Sequence, residues 1–204
     1  ALPISPRRAA ARPHRGVAER VAPGHTPAIL TTTAAMTDRA STLAAALIRN
    51  FHDAALERYQ REPLYDGHGV RLAPGTAAKK LGASYDVLPP GKRGCPYHLH
   101  HAQEEMFIVV EGSGTLRVAD EMLPLKAGDV VFIPAGPEYP HQIINSSDAP
   151  LKYLSISTKE VPEVCEYPDS DKVMASGIAG AEAGRPFGII TRRTPSLDYW
   201  DGEP

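Results

Sequence analysis

The sequence predicts an all-β fold, a sandwich or a barrel of short strands. Eight segments of four to seven residues are rich in β-branched, aromatic and other apolar residues, and turn residues such as Gly, Pro, Asn and Asp separate them. Short strands at such regular spacing are typical of sandwiches and barrels. The predicted strands are Ala83–Leu88, Tyr97–His100, Glu105–Glu111, Gly114–Val118, Glu121–Leu125, Val130–Ile133, His141–Asn145 and Leu151–Ser157.

The first 36 residues differ in composition from the rest of the chain. Pro, Ala, Arg and Thr dominate residues 1–36, and Glu19 is their only acidic residue. Such a segment cannot build an apolar core, so residues 1–36 are predicted to be a disordered extension. Their prolines exclude the amphipathic helix of an organellar transit peptide, and we interpret the segment as an upstream extension before Met36.

A helical pattern follows this extension. Apolar residues recur at every fourth position, which predicts an amphipathic helix over residues 37–63 that ends at Pro63. The stripe consists of Leu43, Leu47, Phe51, Ala55 and Tyr59. The strand pattern then predicts a barrel over residues 70–160. Residues 161–204 are predicted to be a tail that packs on the barrel or on a partner subunit.

Composition excludes several classes of function. The 204-residue chain is 42% hydrophobic and carries a formal net charge of −2, which fits one domain with appendages. Because no apolar run approaches the ~18 residues of a membrane span, no membrane association is expected. The balanced charge predicts no nucleic-acid partner. Two cysteines cannot form a disulfide framework, so a cytoplasmic location is expected.

Three histidines and one glutamate are spaced as metal ligands on neighbouring strands. Side chains alternate along a strand, so His98 and His100 point to the same face. Glu105 begins the next apolar run, and His141 begins a later strand, from which it can close the site. The sequence therefore predicts a site of four ligands.

Two ordered motifs around these residues resemble those of the cupin family. The first consists of Gly91, His98, His100, Glu105 and Gly112, and the second of Gly128, Pro134, Gly136, His141 and Asn145. Gly91 lies one residue too far upstream, and four residues rather than two separate Gly136 from His141. Both departures fall in loops, where insertions are tolerated.

The resemblance covers Leu81 to Thr158 and implies a jelly-roll β-barrel, here with an N-terminal helix and a long C-terminal tail. The Tyr-Pro-Asp sequence that begins at Tyr167 is also similar to small bacterial cupins described as sugar-phosphate-isomerase-like.

The family motif leaves a choice between two neighbouring glutamates. Six residues separate Glu105 from Gly112, as the motif requires, whereas Glu104 gives seven. Alternation agrees, because Glu105 shares a strand face with Phe107 and Val109. We therefore favour Glu105 as the ligand.

Ligand type does not choose among Fe, Mn, Zn, Ni and Co, so the expected cofactor is a divalent transition metal. Four protein ligands leave positions open for water and a small-molecule substrate, as Lewis-acid or redox chemistry requires. One hypothesis is an isomerase or dioxygenase acting on a small oxygen-rich substrate, with Tyr139 and Tyr153 as candidate catalytic residues. The alternative is a cupin that binds a small ligand without catalysis.

Candidate positive charges near the barrel mouth are Lys92, Arg93 and Arg117.

Two predicted strands are apolar on both faces. Met106, Ile108 and Val110 are as apolar as the alternate residues Phe107 and Val109, and residues 130–133 show the same doubling. Both faces are therefore expected to be covered, which predicts a homodimer or appendages packed outside the barrel.

Overall fold

In the computed structural model, the described residues are 38–177 and 187–204, and they form one α-helix, a short 3-10 helix and thirteen strands. Their bounds are α1 Asp38–Leu47, β1 Glu57–Arg61, β2 Tyr65–Arg71, β3 Leu81–Leu88, β4 Leu99–His100, β5 Glu105–Glu111, β6 Ser113–Val118, β7 Glu121–Lys126, β8 Val130–Ile133, β9 His141–Ile144, β10 Leu151–Thr158, β11 Glu163–Tyr167, the 3-10 helix Pro168–Ser170, β12 Lys172–Gly177 and β13 Phe187–Arg192. The predicted disordered extension, residues 1–36, lies outside the described residues.

Within the described residues the strands pair into three antiparallel sheets. The six-stranded sheet has the order β1-β2-β3-β10-β5-β8, the three-stranded sheet β7-β6-β9, and the four-stranded sheet β13-β12-β11-β4. The apolar core draws residues from the six- and three-stranded sheets, namely Leu88, Phe107, Val109, Leu116, Leu125, Ile133, Ile143, Leu151 and Tyr153. Strands distant in sequence lie side by side, and the predicted jelly-roll fold is confirmed.

All eight predicted strands occur, and each bound lies within two residues of its prediction. The prediction succeeded because segments rich in apolar and β-branched residues are bounded by turn residues such as Gly, Pro, Asn and Asp. In β5, Phe107 and Val109 are buried at 5% and 2% exposure, while Ile108 between them is only partly buried. Burial in β5 therefore alternates with a period of two, although the sequence of the strand is apolar on both faces.

The helix predicted over residues 37–63 is wrong in its length, because α1 covers ten residues. Polar side chains favour a turn where the helix ends. The Arg49 guanidinium donates to the carbonyl oxygen of Ala45 (2.6 Å), and the Asn50 side chain accepts the backbone N–H of His52 (2.9 Å). An Asn side chain that binds a nearby backbone N–H competes with helical hydrogen bonding.

The apolar stripe is therefore divided between two kinds of structure. Leu43 and Leu47 on α1 are 48% and 65% exposed. Phe51 lies beyond the helix, where its ring centroid is 4.8 Å from that of Tyr85. Tyr59 lies in β1 and packs partly buried against the core. Phe51 and Tyr59 therefore pack, but outside the helix, whereas the two leucines on the helix are largely exposed.

The structure adds five strands that the sequence analysis did not predict. Charged residues fill most of β1, and two glycines interrupt β2, so neither carries a clear strand pattern. Three more strands, β11 to β13, lie in the predicted tail over residues 161–204. The first of them pairs with β4, where Cys165 lies opposite His100. The tail thus supplies a strand beside the predicted metal ligands.

Several remaining expectations concern surfaces and cysteines. On β8, Val130 and Phe132 are 46% and 72% exposed, and the homodimer stays a prediction. Cys95 and Cys165 are free thiols. None of the helices in the described part of the chain has the length and apolar character needed to cross a membrane.

The turn between β5 and β6 depends on Gly112. Its φ is 84°, in the left-handed region that favours glycine. A Cβ at this position would collide with the carbonyl oxygen of Pro150 and lie 3.3 Å from the Cα of Leu151. Gly128 also has a positive φ of 92°, but nothing lies within 4 Å of the Cβ it would carry.

The two glycines make a matched pair of variants. We expect Gly128→Ala to lower the free energy of unfolding by about 1–2 kcal/mol, the cost of a left-handed alanine. Gly112→Ala should lower it further, because backbone atoms must also shift to relieve the collision. Urea unfolding of both variants measures the difference, and equal losses would contradict this account of the turn.

Candidate metal centre

Backbone pairing brings two of the predicted ligands together. His98 and His141 form an isolated antiparallel bridge in which the N–H of each donates to the carbonyl oxygen of the other (3.1 and 2.7 Å). Their ring centroids lie 4.6 Å apart. His98 directly precedes β4, and His141 begins β9. Two imidazoles that are far apart in the sequence therefore face the same space.

His100 and Glu105 complete the cluster. The Nε2 atoms of His141, His98 and His100 lie 2.7, 3.6 and 3.7 Å from the same oxygen, Oε2 of Glu105. Ligand atoms of His98, His100 and Glu105 all lie within 4.8 Å of one another. Glu104 is exposed and outside the cluster. The structure thus brings together the four side chains that the sequence predicted to meet.

Backbone carbonyls orient two of the imidazoles through their second ring nitrogen. Nδ1 of His98 lies 2.9 Å from the carbonyl oxygen of Pro96, and Nδ1 of His141 lies 3.1 Å from that of Tyr139. Because a carbonyl oxygen only accepts hydrogen bonds, both Nδ1 atoms carry a proton. In the neutral imidazole the lone pair is then on Nε2, facing Glu105, as metal binding requires.

A carboxylate that the sequence analysis missed orients the third imidazole. Glu163 on β11 is 2% exposed, and its Oε1 lies 3.2 Å from Nδ1 of His100. It also accepts the backbone N–H groups of His101 and Ala102, both at 3.1 Å. A buried carboxylate behind a histidine is a common support for a metal ligand. No sequence spacing indicated Glu163, because the pairing of β11 with β4 alone brings it to His100.

Without a metal, the cluster binds a proton tightly. Burial lowers the pKa of His98, but hydrogen bonds with Cys95 and Glu105 outweigh this effect and raise it to about 11. Burial also disfavours ionisation of Glu105, yet hydrogen bonds from His141 and His98 hold the pKa of that carboxyl well below its usual range. A cation bound here displaces a proton from His98, so its affinity increases with pH.

A cavity of about 220 Å³ adjoins the cluster, with His98 and Glu105 in its wall. This is the volume of about seven molecules of liquid water, enough for a small molecule. The other lining residues are Ser84, Asp86, Gly94, Cys95, Phe107, Tyr153 and Ser155. A molecule in this cavity therefore lies directly beside two of the candidate ligands.

Asp86 is an acid in the cavity wall that the sequence analysis also missed. Its Oδ2 accepts a hydrogen bond from the Ser84 hydroxyl (2.6 Å), and a Cβ on Gly69 would lie only 2.6 Å from its Oδ1. Burial raises the pKa of Asp86, and the Ser84 hydrogen bond opposes this shift. A carboxyl with a raised pKa beside a candidate metal site is a candidate acid or base. Alternation in β3 was the available signal, because Ser84 and Asp86 share a face with the core residue Leu88.

Of the two tyrosines predicted as catalytic, only Tyr153 lines the cavity. It is 5% exposed, and burial raises the pKa of its hydroxyl well above the usual value, so the hydroxyl stays protonated. Tyr139 is 45% exposed and lines a separate groove with Phe132. It contributes its carbonyl oxygen, which holds His141, rather than its side chain.

The Tyr-Pro-Asp sequence that begins at the last residue of β11 packs against the cluster. The ring of Tyr167 stacks on His98 at 6.2 Å between centroids. Asp169 accepts two hydrogen bonds from the Arg117 guanidinium (2.7 and 2.9 Å), which lies 3.7 Å from the ring centroid of Tyr97. Arg117, a predicted source of positive charge, is therefore paired within the protein.

Comparison with known proteins agrees with this fold and site. Residues 84–157 match the family model of the cupin domain. The segment carries all four residues of the cluster and the apolar core of β5 and β10. Residues 84–157 therefore form a cupin domain.

Two curated proteins are similar to part of the chain. An uncharacterized protein of Methanocaldococcus jannaschii is 35% identical over 71 residues, which are 35% of this chain and 54% of that protein. An oxalate-binding protein of Thermotoga maritima is 32% identical over 69 residues, which are 34% of this chain and 54% of that protein. The chain thus spans about half the length of each curated relative.

Two solved structures are similar to a larger part of the chain. A cupin-superfamily sugar phosphate isomerase from Silicibacter pomeroyi is 27% identical with a TM-score of 0.56, over 66% of this chain and 82% of that one. A protein from Acidithiobacillus ferrooxidans, named a putative sugar phosphate isomerase, has a TM-score of 0.60 over 71% of this chain and 92% of its own. At 24% identity, the second shows similarity of fold alone.

Proposed function

We propose that this cupin binds a divalent transition metal through His98, His100, Glu105 and His141. The observation that carries the proposal is the convergence of three imidazole Nε2 atoms on one carboxylate oxygen, at 2.7 to 3.7 Å. Three neutral imidazoles and a carboxylate match Fe, Mn, Zn, Ni or Co, and these ligands do not select one of them. The Glu105 side chain is only 12% exposed, and a divalent cation would compensate its single negative charge.

We further propose an isomerase-type reaction on a small oxygen-rich substrate held in the adjoining cavity. When bound, the metal would supply Lewis-acid chemistry, which polarises a carbonyl group of the substrate. The substrate must then lose a proton from the carbon next to that carbonyl and gain a proton on the carbonyl carbon itself. A positioned acid–base group is needed for both transfers.

Asp86 is the group we assign to this proton transfer. As a carboxylate it takes the proton from carbon, and the electron pair of that C–H bond moves toward the carbonyl. The protonated Asp86 then returns the proton to the former carbonyl carbon, while the hydroxyl proton passes to the former carbonyl oxygen. Burial raises the pKa of Asp86, which suits a group that must both accept and donate. Tyr153 stays protonated in the same wall and donates a hydrogen bond to a substrate oxygen.

The names of two relatives support a small oxygen-rich substrate. One is a sugar phosphate isomerase and the other an oxalate-binding protein. The second name favours the alternative, a cupin that binds a small ligand without catalysis. Asp86 in the cavity favours the enzyme, because binding alone does not require a buried carboxyl with a raised pKa.

The proposed ligand set predicts which histidine variants lose metal. His141→Ala removes an Nε2 donor, so metal affinity should fall by more than the about 10–100-fold typical of losing an outer-shell partner. His101→Ala is the matched control, because His101 lies next to His100 but bonds Glu166 on the surface (2.8 Å). Both variants are equilibrated with zinc, and the bound metal is measured by elemental mass spectrometry. Full metal content in His141→Ala would refute the assignment.

The proposed reaction predicts that solvent deuterium enters the substrate. Metal-loaded protein is incubated in deuterated water with a panel of hydroxy-aldehydes and hydroxy-ketones, phosphorylated and not, and exchange at carbon is followed by NMR. Asp86→Asn should keep its metal but lose about 10²–10⁴-fold in exchange rate. Asp129→Asn is the control, since Asp129 accepts the backbone N–H of Lys126 (2.9 Å) and is absent from the cavity wall.

Other outcomes of the same experiment identify the alternatives. Compounds that bind tightly without exchange would favour the non-catalytic cupin. Consumption of dioxygen by the iron-loaded protein, again without exchange, would favour the dioxygenase.

A further inference from the structure

A second cavity of about 270 Å³ lies beside the first on the same sheet. Ser84 and Ser155 line both cavities, so they form a shared wall. Beyond this wall the second cavity is lined by Arg71 and Lys159 and by the hydroxyl residue Ser157. The metal cluster and these two cations therefore lie on either side of one pair of serines.

Strand register places these side chains on one face of the six-stranded sheet. Ser84 on β3 pairs with Arg71 on β2 and with Ser155 on β10, so the three lie in one row across the sheet. Ser157 lies two residues further along β10, on the same face, opposite Glu105. The side chains of the second cavity and Glu105 of the metal cluster therefore lie on the same face of the sheet.

Gly82 keeps the second cavity open. A Cβ at this position would lie 3.0 Å from both the Lys159 Cε and the Ser157 Oγ. Real Cβ contacts are rarely this close, so a larger residue would displace both side chains. The absence of a side chain at Gly82 therefore allows the Lys159 chain to lie along the cavity.

The charge of this cavity is positive. None of the described residues in its lining is acidic. Neither Arg71 nor Lys159 takes part in an ion pair among the described residues, whereas Arg58 is paired with Asp66 (2.9 Å) and Lys92 with Glu62 (2.8 Å). Two cations and the hydroxyl groups of Ser155 and Ser157, with no carboxylate in the lining, match an oxyanion.

We propose that Arg71, Lys159, Ser155 and Ser157 bind the phosphate group of a phosphorylated substrate, while the Ser84 hydroxyl stays bonded to Asp86 (2.6 Å). Two cations and two hydroxyl groups suit the three free oxygens and the roughly double negative charge of a phosphate better than the two oxygens and single charge of a carboxylate. This phosphate site rests on the proposed function. The phosphate end of the substrate lies in the second cavity, and its other end reaches past Ser84 and Ser155 to Asp86 and the metal ligands. The substrate class is then a small hydroxy-carbonyl compound with a terminal phosphate.

The test uses inorganic phosphate and metal-free protein. Metal is removed with a chelator, the chelator is removed by gel filtration because it is itself an anion, and phosphate is titrated at low ionic strength by calorimetry. Arg71→Gln and Lys159→Gln should each weaken phosphate binding about tenfold, the loss expected for one charged hydrogen-bond partner. Both residues are exposed, and circular dichroism of each variant checks that the fold is retained.

Lys152→Gln is the matched control. Lys152 lies on β10 with Ser155 and Ser157 but on the opposite face, where it pairs with Glu111 (2.8 Å). Phosphate binding should be unchanged in this variant. Equal phosphate affinity in wild type, Arg71→Gln and Lys159→Gln would overturn the proposal. It would also be overturned if acetate bound as tightly as phosphate.

The two proposals fail separately. Phosphate binding in metal-free protein does not involve His141, so its loss would leave the metal assignment intact. Conversely, metal retained in His141→Ala, together with phosphate binding that depends on Lys159, would refute the metal ligands and support the phosphate site.

Discussion

The rest of the site depends on the Glu105 carboxylate, whose Oε2 is the meeting point of three imidazoles. A buried anion is costly unless cations or hydrogen-bond donors surround it. The jelly roll provides these donors by placing β4, β5 and β9 around one point. Each histidine is held in turn at Nδ1, by the carbonyls of Pro96 and Tyr139 and by the carboxylate of Glu163. The C-terminal segment is therefore part of the site, because it supplies Glu163 through the pairing of β11 with β4.

One face of the six-stranded sheet combines core and site. Toward one end of this face, Leu88, Val109 and Leu151 are almost fully buried in the apolar core. Further along β3 and β10 the same face becomes polar at Asp86 and Ser155, beside the metal cluster. Polar side chains inside a barrel cost stability, and the apolar end of the same strands offsets that cost. This gradient separates the part of the barrel that stabilises the fold from the part that binds ligands.

The sequence predicted the structure correctly where the structure depends on residues close together in the chain. Apolar segments bounded by turn residues placed the strands between residues 81 and 158. The spacing to Gly112 chose Glu105 over Glu104, and alternation along the strand agreed. It failed where partners are distant in the chain. Glu163 reaches His100 only through strand pairing, and Arg71 lies in a row with Ser84 only through the register of β2 and β3. The exposed side chain of Tyr139 shows the same limit, since closeness to His141 in sequence did not bring it into the cavity.

The central claim is that three imidazoles and one carboxylate bind a metal, and X-ray absorption of zinc-loaded protein tests it most directly. The account predicts scattering from three imidazole groups, with Zn–N distances of about 2.0–2.1 Å, and from oxygen as the remaining ligand. Cys95 makes a competing outcome specific, because its Sγ lies 3.6 Å from Nδ1 of His98. A sulfur ligand at about 2.3 Å, or fewer than three imidazoles, would contradict the account.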